Sequence, residues 1–402
     1  MVSNAVSLGQ WATTFEPSPD DLALAHRALV DTAAVALAAR EHPLVEIASR
    51  LPDAARWAAI GHVLDFDDLH LESTTHISVV VVPAVLAAGG GACAYLAGAG
   101  VMARLGAVLG WPHYAAGWHV TCTAGAPAAA VAAGMSMGLS AQQLTNAVAL
   151  AIPAAGGVQS AFGTHGKSLQ VGFAAEAGVR AAALARAGAT AAPEALDAWI
   201  SLVGGRCGDL DLGGPTVPGG LAIKVFPCCY ALQRPIAALR EIRDQLDGAV
   251  ERVRVRTPEA SVQPLLHDRP RTGLEGKFSL PYGIAVALLD PYPGFDSFTD
   301  AGVNRPDARF VLERVEVEQQ PGGDALLAGE VEVEIECSSA SSLRARLAEP
   351  PGAPGRPLAD AEFADKLTAC GPDVADLLSA ATWDSVRALM RTTFPPNPEV
   401  HA

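Results

Sequence analysis

Apolar and polar positions divide this chain into a long helical part and a shorter part of mixed character. Over the first two hundred or so residues apolar positions recur at helical spacing, as in Leu22, Ala25, Leu29 and Ala33. Ser18-Pro19-Asp20-Asp21 is a helix start, with Ser as N-cap, Pro in the first turn and acids near the positive end of the dipole. Ser140-Ala-Gln-Gln143 reads as a capping box before an apolar run. Val171–Ala187 is an Ala-rich helix ending at Gly188, a C-cap residue.

After about Gly220 the period changes to two. Val250–Arg256 (VERVRVR), Leu312–Glu318 (LERVEVE) and Glu330–Glu336 (EVEVEIE) alternate as half-exposed strands do. The last two flank Gln-Pro-Gly-Gly-Asp and are expected to form an antiparallel hairpin. Tyr282–Leu289 reads as helix, and helical character returns from Ala361 to Met390. The predicted class is mainly α with an α+β second domain. The boundaries are a helical domain over 1–221, a smaller α+β domain over 222–372, and 373–402 returning to the first.

From Ile77 to Gly166 the only formal charge is Arg104. Ile77–Ala103 is long enough to span a bilayer, but Pro83, Gly89, Gly90 and Gly91 interrupt it and no basic flank precedes it. A buried helix pair is the competing reading and the one expected, with no membrane partner. The net charge of −15, with no basic stripe or arm, argues against nucleic acid. The N-terminus lacks a basic region followed by an apolar run, so no signal peptide is expected. Seven cysteines without a CxxC pair fit a reduced, cytoplasmic protein.

Against this background one segment stands out. GHVLDFDDLHLESTTH (61–76) packs Asp65, Asp67, Asp68, Glu72, His62, His70 and His76 next to the uncharged stretch. Titratable groups beside low-dielectric protein are where pKa values shift. Asp65-Phe-Asp67-Asp68 matches the DxDD pattern with which some terpene cyclases protonate an alkene, although aromatics are only 5% of the chain. His62, Asp65 and His76 could ligate a metal, without any spacing typical of one. A bland acidic helix start is the third reading.

Lysine is the second signal. Of 28 basic residues only four are Lys: Lys167, Lys224, Lys277 and Lys366. Lys167 and Lys224 sit at element boundaries beside Gly, Pro or Cys, where an amine of tunable pKa is useful. Lys366 falls on an amphipathic helix and reads as solvent-facing. Cys228 and Cys229 read as packing residues, and His26, His42, His267 and His401 as surface.

Taken together, these segments resemble the MmgE/PrpD family, which includes 2-methylcitrate dehydratase, cis-aconitate decarboxylase and iminodisuccinate epimerase. HVLDFDDLHLESTTH with VVVVPAVLA, GWHVTCTAGAPAAAVAAGMSMGLS, GKSLQVGFAAEAGVRAAALARAG, IKVFPCCYALQRPIAAL, GKFSLPYGIAVAL and PGAPGRPLADAEFADKL carry the resemblance, in the family's order, over roughly residues 20–390. It implies a large helical domain built from both chain ends, an α+β lid, an active site between them, a homodimer, and chemistry on small di- or tricarboxylates without metal or cofactor. Carried over by position, it implies catalytic roles for Asp65, His76, His119 and Lys167. Lys224, Tyr282, Leu69, Gln170 and His165 are then expected to bind substrate. The chain departs from the pattern at Leu69 (usually Thr), Ile77 (Pro), Gln170 (often His) and Gln233 (His), and 39–57 is short.

The expected function is a cofactor-free, dehydratase-like lyase working by α-proton abstraction. An epimerase, isomerase or decarboxylase with a less polar substrate is the alternative within enzymes. A non-catalytic carboxylate-binding protein is the alternative of another class.

Overall fold

The computed structural model describes residues 2–206, 208–339 and 342–398. His401 and Cys207 lie outside them. The expected helix starts form as closed capping boxes: Ser18 Oγ accepts from the Asp21 N–H while Asp21 accepts from the Ser18 N–H, and Ser140 and Gln143 do the same. The third helix, His165–Arg186, begins earlier than its apolar pattern suggested, with Thr164 accepting from the Gly166 N–H. Gly188 ends it at φ +99°.

The first hydrophobic core joins the helices Asp53–His62, Ser78–Ala88, Gly125–Ser136 and His165–Arg186. Small residues let their backbones come close. A Cβ on Gly178 would meet Ala129 at 2.4 Å, so these two helices touch nearly backbone to backbone. The uncharged stretch lies here, as the helices Ser78–Ala88 and Ala92–Ala115. The latter is long and apolar enough to cross a membrane, yet most of it is buried inside the body; it kinks at Gly110, φ +65°.

A second core contains a four-stranded sheet: β1 (Val250–Pro258), β2 (Val315–Gln320), β3 (Val331–Cys337) and β4 (Ser342–Leu347), in the order β2-β1-β3-β4. The helices Tyr230–Ile242 and Leu280–Leu289 pack against it. The expected hairpin between the two Glu-rich strands does not form. β1 lies between them, parallel to β2 and antiparallel to β3. Charge explains this. Side by side, β2 and β3 would set Glu against Glu, which is unfavourable. With β1 inserted, Arg254 reaches Glu318 (2.9 Å) and Glu334 (3.0 Å), and Arg256 reaches Glu318 (2.7 Å) and Glu332 (3.0 Å).

Near the C-terminus, the helices Asp360–Cys370 and Trp383–Thr393 pack on Pro19–Ala38 and Ser78–Ala88. The helices that return to the first core begin at Asp360, and Leu326 already belongs to that core. Lys366 is not solvent-facing. It is buried, pairs with buried Asp31 at 2.6 Å and donates to Phe66 O at 2.9 Å. A helix packed on two sides buries residues that a one-sided reading of its amphipathic pattern leaves in water.

Candidate active site

The acid and histidine segment leaves the Asp53–His62 helix as irregular chain, and its titratable groups from His62 to His76 are buried apart from Glu72. Asp65 sits at φ +53°, a left-handed conformation uncommon for a side chain with a Cβ and best tolerated by Asp and Asn. Leu69 pairs with Ala222 as a short antiparallel bridge, N–H to O at 2.9 Å and 2.7 Å. That bridge carries the chain toward the second core directly across the segment and lays Lys224 on Asp65.

The three aspartates part company. Asp65 binds lysines: Lys224 Nζ donates to its main-chain O (2.9 Å) and to its Oδ1, and Lys167 Nζ stands 3.2 Å from Oδ2. Burial works to raise this carboxyl, but Lys167 and Lys224 outweigh it and hold it well below the usual range. Asp67 binds histidines: His62 Nδ1 donates to Oδ2 at 2.8 Å, and His76 Nδ1 lies 3.0 Å from the same oxygen, outside good hydrogen-bond angles. Asp68 faces the start of Ser78–Ala88 and accepts from the Ser78 N–H at 3.2 Å; burial pushes its carboxyl up to about 7. The DxDD reading requires these carboxylates to act as one acid, and each has its own partner instead.

Four imidazoles meet this segment in different roles. His62 is buried between Asp67 and Lys167, whose Nζ is 2.6 Å from Nε2. His70 turns away and is held by Ser73 Oγ (2.7 Å) and Pro218 O (2.5 Å). His76 and His119 line one cavity with Asp65, Leu69 and Lys167. Burial drives His76 down to about 4, partly offset by Asp67, and drives His119 well below its ordinary value. Both are neutral rings near pH 7.

The second core supplies the opposite wall, including Phe162, Cys229 and Phe278. The space enclosed is about 20 Å³, room for one water. A polycarboxylate enters only if the walls part.

Not every expected residue reaches this cavity. Lys224 is sealed beneath Asp65. Gln170 stands behind His119, its Nε2 2.7 Å from Nδ1. His165 packs edge-on against His42, ring centres 5.8 Å apart, outside the cavity. Tyr282 lies within the second core and donates to Ser297 O; it is not at the site. Gln233 ties a loop, accepting from the Val225 and Phe226 N–H groups. His26 is exposed, whereas His42 and His267 are half-buried, and His267 Nε2 lies 3.0 Å from Phe162 O. Cys228 and Cys229 are buried, with thiols raised by burial.

Sequence reasoning missed Asp67, the shared partner of His62 and His76, although it stands in the same acid cluster. It also passed over Lys277, one of four lysines. Lys277 is buried, donates to Leu64 O (2.8 Å) and Pro227 O (2.6 Å), and is lowered by burial to about 8.

His62, Asp67 and His76 could present metal-ligand atoms within 4.8 Å of one another. Asp67 replaces Asp65 in the trio expected from sequence. Lys167 already occupies His62 Nε2, and with Lys224 it places two lysines close by, so a dication there would face their repulsion.

The MmgE/PrpD N-terminal domain matches residues 52–200, and the MmgE/PrpD C-terminal domain matches residues 226–388. The chain belongs to the MmgE/PrpD family. Among its relatives is a cis-aconitate decarboxylase of Aspergillus terreus, 27% identical over 341 residues, covering 73% of this chain and 69% of that protein. The Homo sapiens cis-aconitate decarboxylase is 25% identical over 293 residues, 68% of this chain and 59% of that protein. The Mus musculus protein of the same name is 27% identical over 221 residues, 51% of this chain and 45% of its own length. The chain thus spans roughly half to two thirds of the curated relatives it matches. The N-terminal match carries His62, Asp65, Asp67, His76, His119 and Lys167, and Lys224 falls between the two matched regions.

Proposed function

We propose that this chain is a lyase of small polycarboxylates that moves a proton at the carbon α to a carboxylate. The observation that carries the proposal is His76. It is a neutral imidazole in the wall of a small buried cavity, with Asp67 Oδ2 3.0 Å behind Nδ1. The carboxylate can only accept, so it favours the hydrogen on Nδ1 and leaves the Nε2 lone pair for the substrate. Such a ring takes a proton from carbon and holds it as imidazolium against Asp67. Lys167, on the same wall, can turn from Asp65 to a substrate carboxylate.

A dehydration follows directly. His76 removes the α-proton, the electron pair forms the double bond, and the β-hydroxyl leaves as water with the proton that His76 has taken up. Decarboxylation is the second reading, favoured by the name of the relatives and by the apolar walls Leu69, Phe162 and Phe278. There the bond to the carboxylate breaks, carbon dioxide leaves, and the electron pair left on the α-carbon takes a proton that water delivers through His76, which returns to its neutral form. The same proposal includes a cytoplasmic homodimer that works without metal or cofactor, as the family resemblance implies. Incubation with citrate, 2-methylcitrate, cis-aconitate and acids bearing fewer carboxylates, read by mass spectrometry, tests it. Loss of water identifies the first reading and loss of carbon dioxide the second. Binding of these acids with no turnover would make the chain a carboxylate-binding protein instead.

A further inference from the structure

The two cavity imidazoles differ in the nitrogen each presents. We infer that Gln170 locks His119 as the ring with its hydrogen on Nε2, so that His119 donates to a substrate oxygen and leaves proton removal to His76. This rests on the lyase reading of the cavity, but its physical content is a tautomer that is measurable without substrate.

Gln170 lies one turn after Lys167 on the His165–Arg186 helix. Val158 fixes its amide. The Val158 N–H can only donate, and it lies 3.0 Å from Gln170 Oε1. The other end of the amide is therefore Nε2, which donates to Val158 O at 3.2 Å and faces His119 Nδ1 at 2.7 Å. An amide NH2 has no lone pair to offer, so Nδ1 must be the accepting nitrogen. Cys122 Sγ lies 3.3 Å from the same nitrogen. Burial keeps it a thiol, whose weak S–H donation agrees with the same assignment.

The ring hydrogen is then on Nε2. That nitrogen has no hydrogen-bond partner among the described residues, and the ring lines the cavity. Phe162, edge-on at 5.0 Å between ring centres, and His62, stacked at 5.9 Å, hold the ring plane. A neutral imidazole N–H gives up its proton reluctantly but is a strong, preorganised donor to charge building on oxygen. His76 is the opposite case, with a carboxylate behind Nδ1. One ring thus steadies a carboxylate or enolate oxygen while the other handles the carbon-bound proton. Gln170 touches no reacting atom and is a positioning residue. Because it does not titrate, the lock holds across the working pH range.

Nitrogen-15 NMR of the full-length protein with labelled histidine rings tests this, with His119 assigned by difference against His119→Asn. In the unmodified protein near neutral pH, Nδ1 should appear at the unprotonated position and Nε2 at the protonated one. Gln170→Glu keeps an acceptor for the Val158 N–H but turns an acceptor toward Nδ1, which should then gain a proton. Gln170→Leu removes the donor and should average the two nitrogens, with a thermal midpoint reporting that the fold is kept. A change in either variant supports the lock. A protonated Nδ1 in the unmodified protein, or an unchanged pattern in both variants, overturns it and leaves the lyase reading standing with the histidine roles open. Conversely, the expected tautomer with no acid turned over would sink the lyase reading alone.

Discussion

Lys224 grips Asp65 twice, through the main-chain oxygen at 2.9 Å and through the carboxylate, and so fastens the start of the second core onto the acid and histidine segment. Lys167 holds the other carboxylate oxygen from the His165–Arg186 helix. One aspartate is therefore the shared counter-ion of two buried lysines from separate parts of the chain.

That sharing predicts the cost of Asp65→Asn. Asn tolerates the left-handed backbone at this position, so the change isolates the charge. Two buried cations would lose their counter-ion, and breaking a buried pair typically costs about 3–5 kcal/mol. Denaturant unfolding should show a loss of that order, together with loss of turnover. A variant as stable as the parent would mean that the lysines are neutral or solvated.

Lys366→Met should behave as a structural lesion and not as a surface change. The ammonium neutralises Asp31 at 2.6 Å where both are buried. Its loss should also cost about 3–5 kcal/mol, whereas Lys366→Met combined with Asp31→Leu should recover much of it. Circular dichroism melts of the single and double variants check this. Equal destabilisation in both would show that packing, not charge, is the role of Lys366.

The contrast between these lysines shows how much the sequence revealed. The helix start at Ser18 and the capping box at Ser140 were legible because they are local. The acid and histidine segment was legible because its charge density stands against an uncharged neighbour. The partners were not. Whether Asp65 or Asp67 meets the histidines depends on the positive φ at Asp65, which no pattern in the segment announces. Strand order was misjudged because adjacency in sequence favoured a hairpin, while Arg252, Arg254 and Arg256 of β1 are drawn between two acidic strands. Tyr282 fell within a family-like motif and His165 just before one, yet their side chains serve neighbouring structure.

Acid should destabilise the fold before most of the carboxylates titrate. His62, His76, His113 and His119 are lowered by burial, His76 to about 4, as is half-buried His42, also to about 4. In the unfolded chain they take up protons near 6.5. Between about 6.5 and 4 the unfolded state binds more protons, so stability falls as pH falls. Asp68, raised to about 7, and Asp31, also raised by burial, work the other way across this range, but as two groups against several. Unfolding midpoints in urea should drop steadily from pH 7 to pH 4.5. A flat or rising profile would show that the histidines are charged in the native state.

Leu69 faces the cavity where a hydroxyl-bearing Thr is usual in the family pattern. A polar substrate group left unpaired there costs about 1–3 kcal/mol. The unmodified protein should therefore favour acids with fewer hydroxyl groups over citrate and 2-methylcitrate. Leu69→Thr should shift the ratio of kcat/KM values back by roughly ten-fold or more, the equivalent of about 1.4 kcal/mol. Identical ratios in the two proteins would remove Leu69 from substrate selection.

The central claim is proton transfer at carbon by His76. Its most direct test is turnover of the reactive acid from the panel in deuterium oxide, with deuterium at the α-carbon followed by NMR. The unmodified protein should exchange or introduce deuterium at that carbon, and His76→Ala should slow this about a hundredfold or more while its thermal midpoint is kept. Equal rates in the two proteins, or turnover with no exchange at the α-carbon, would contradict the account.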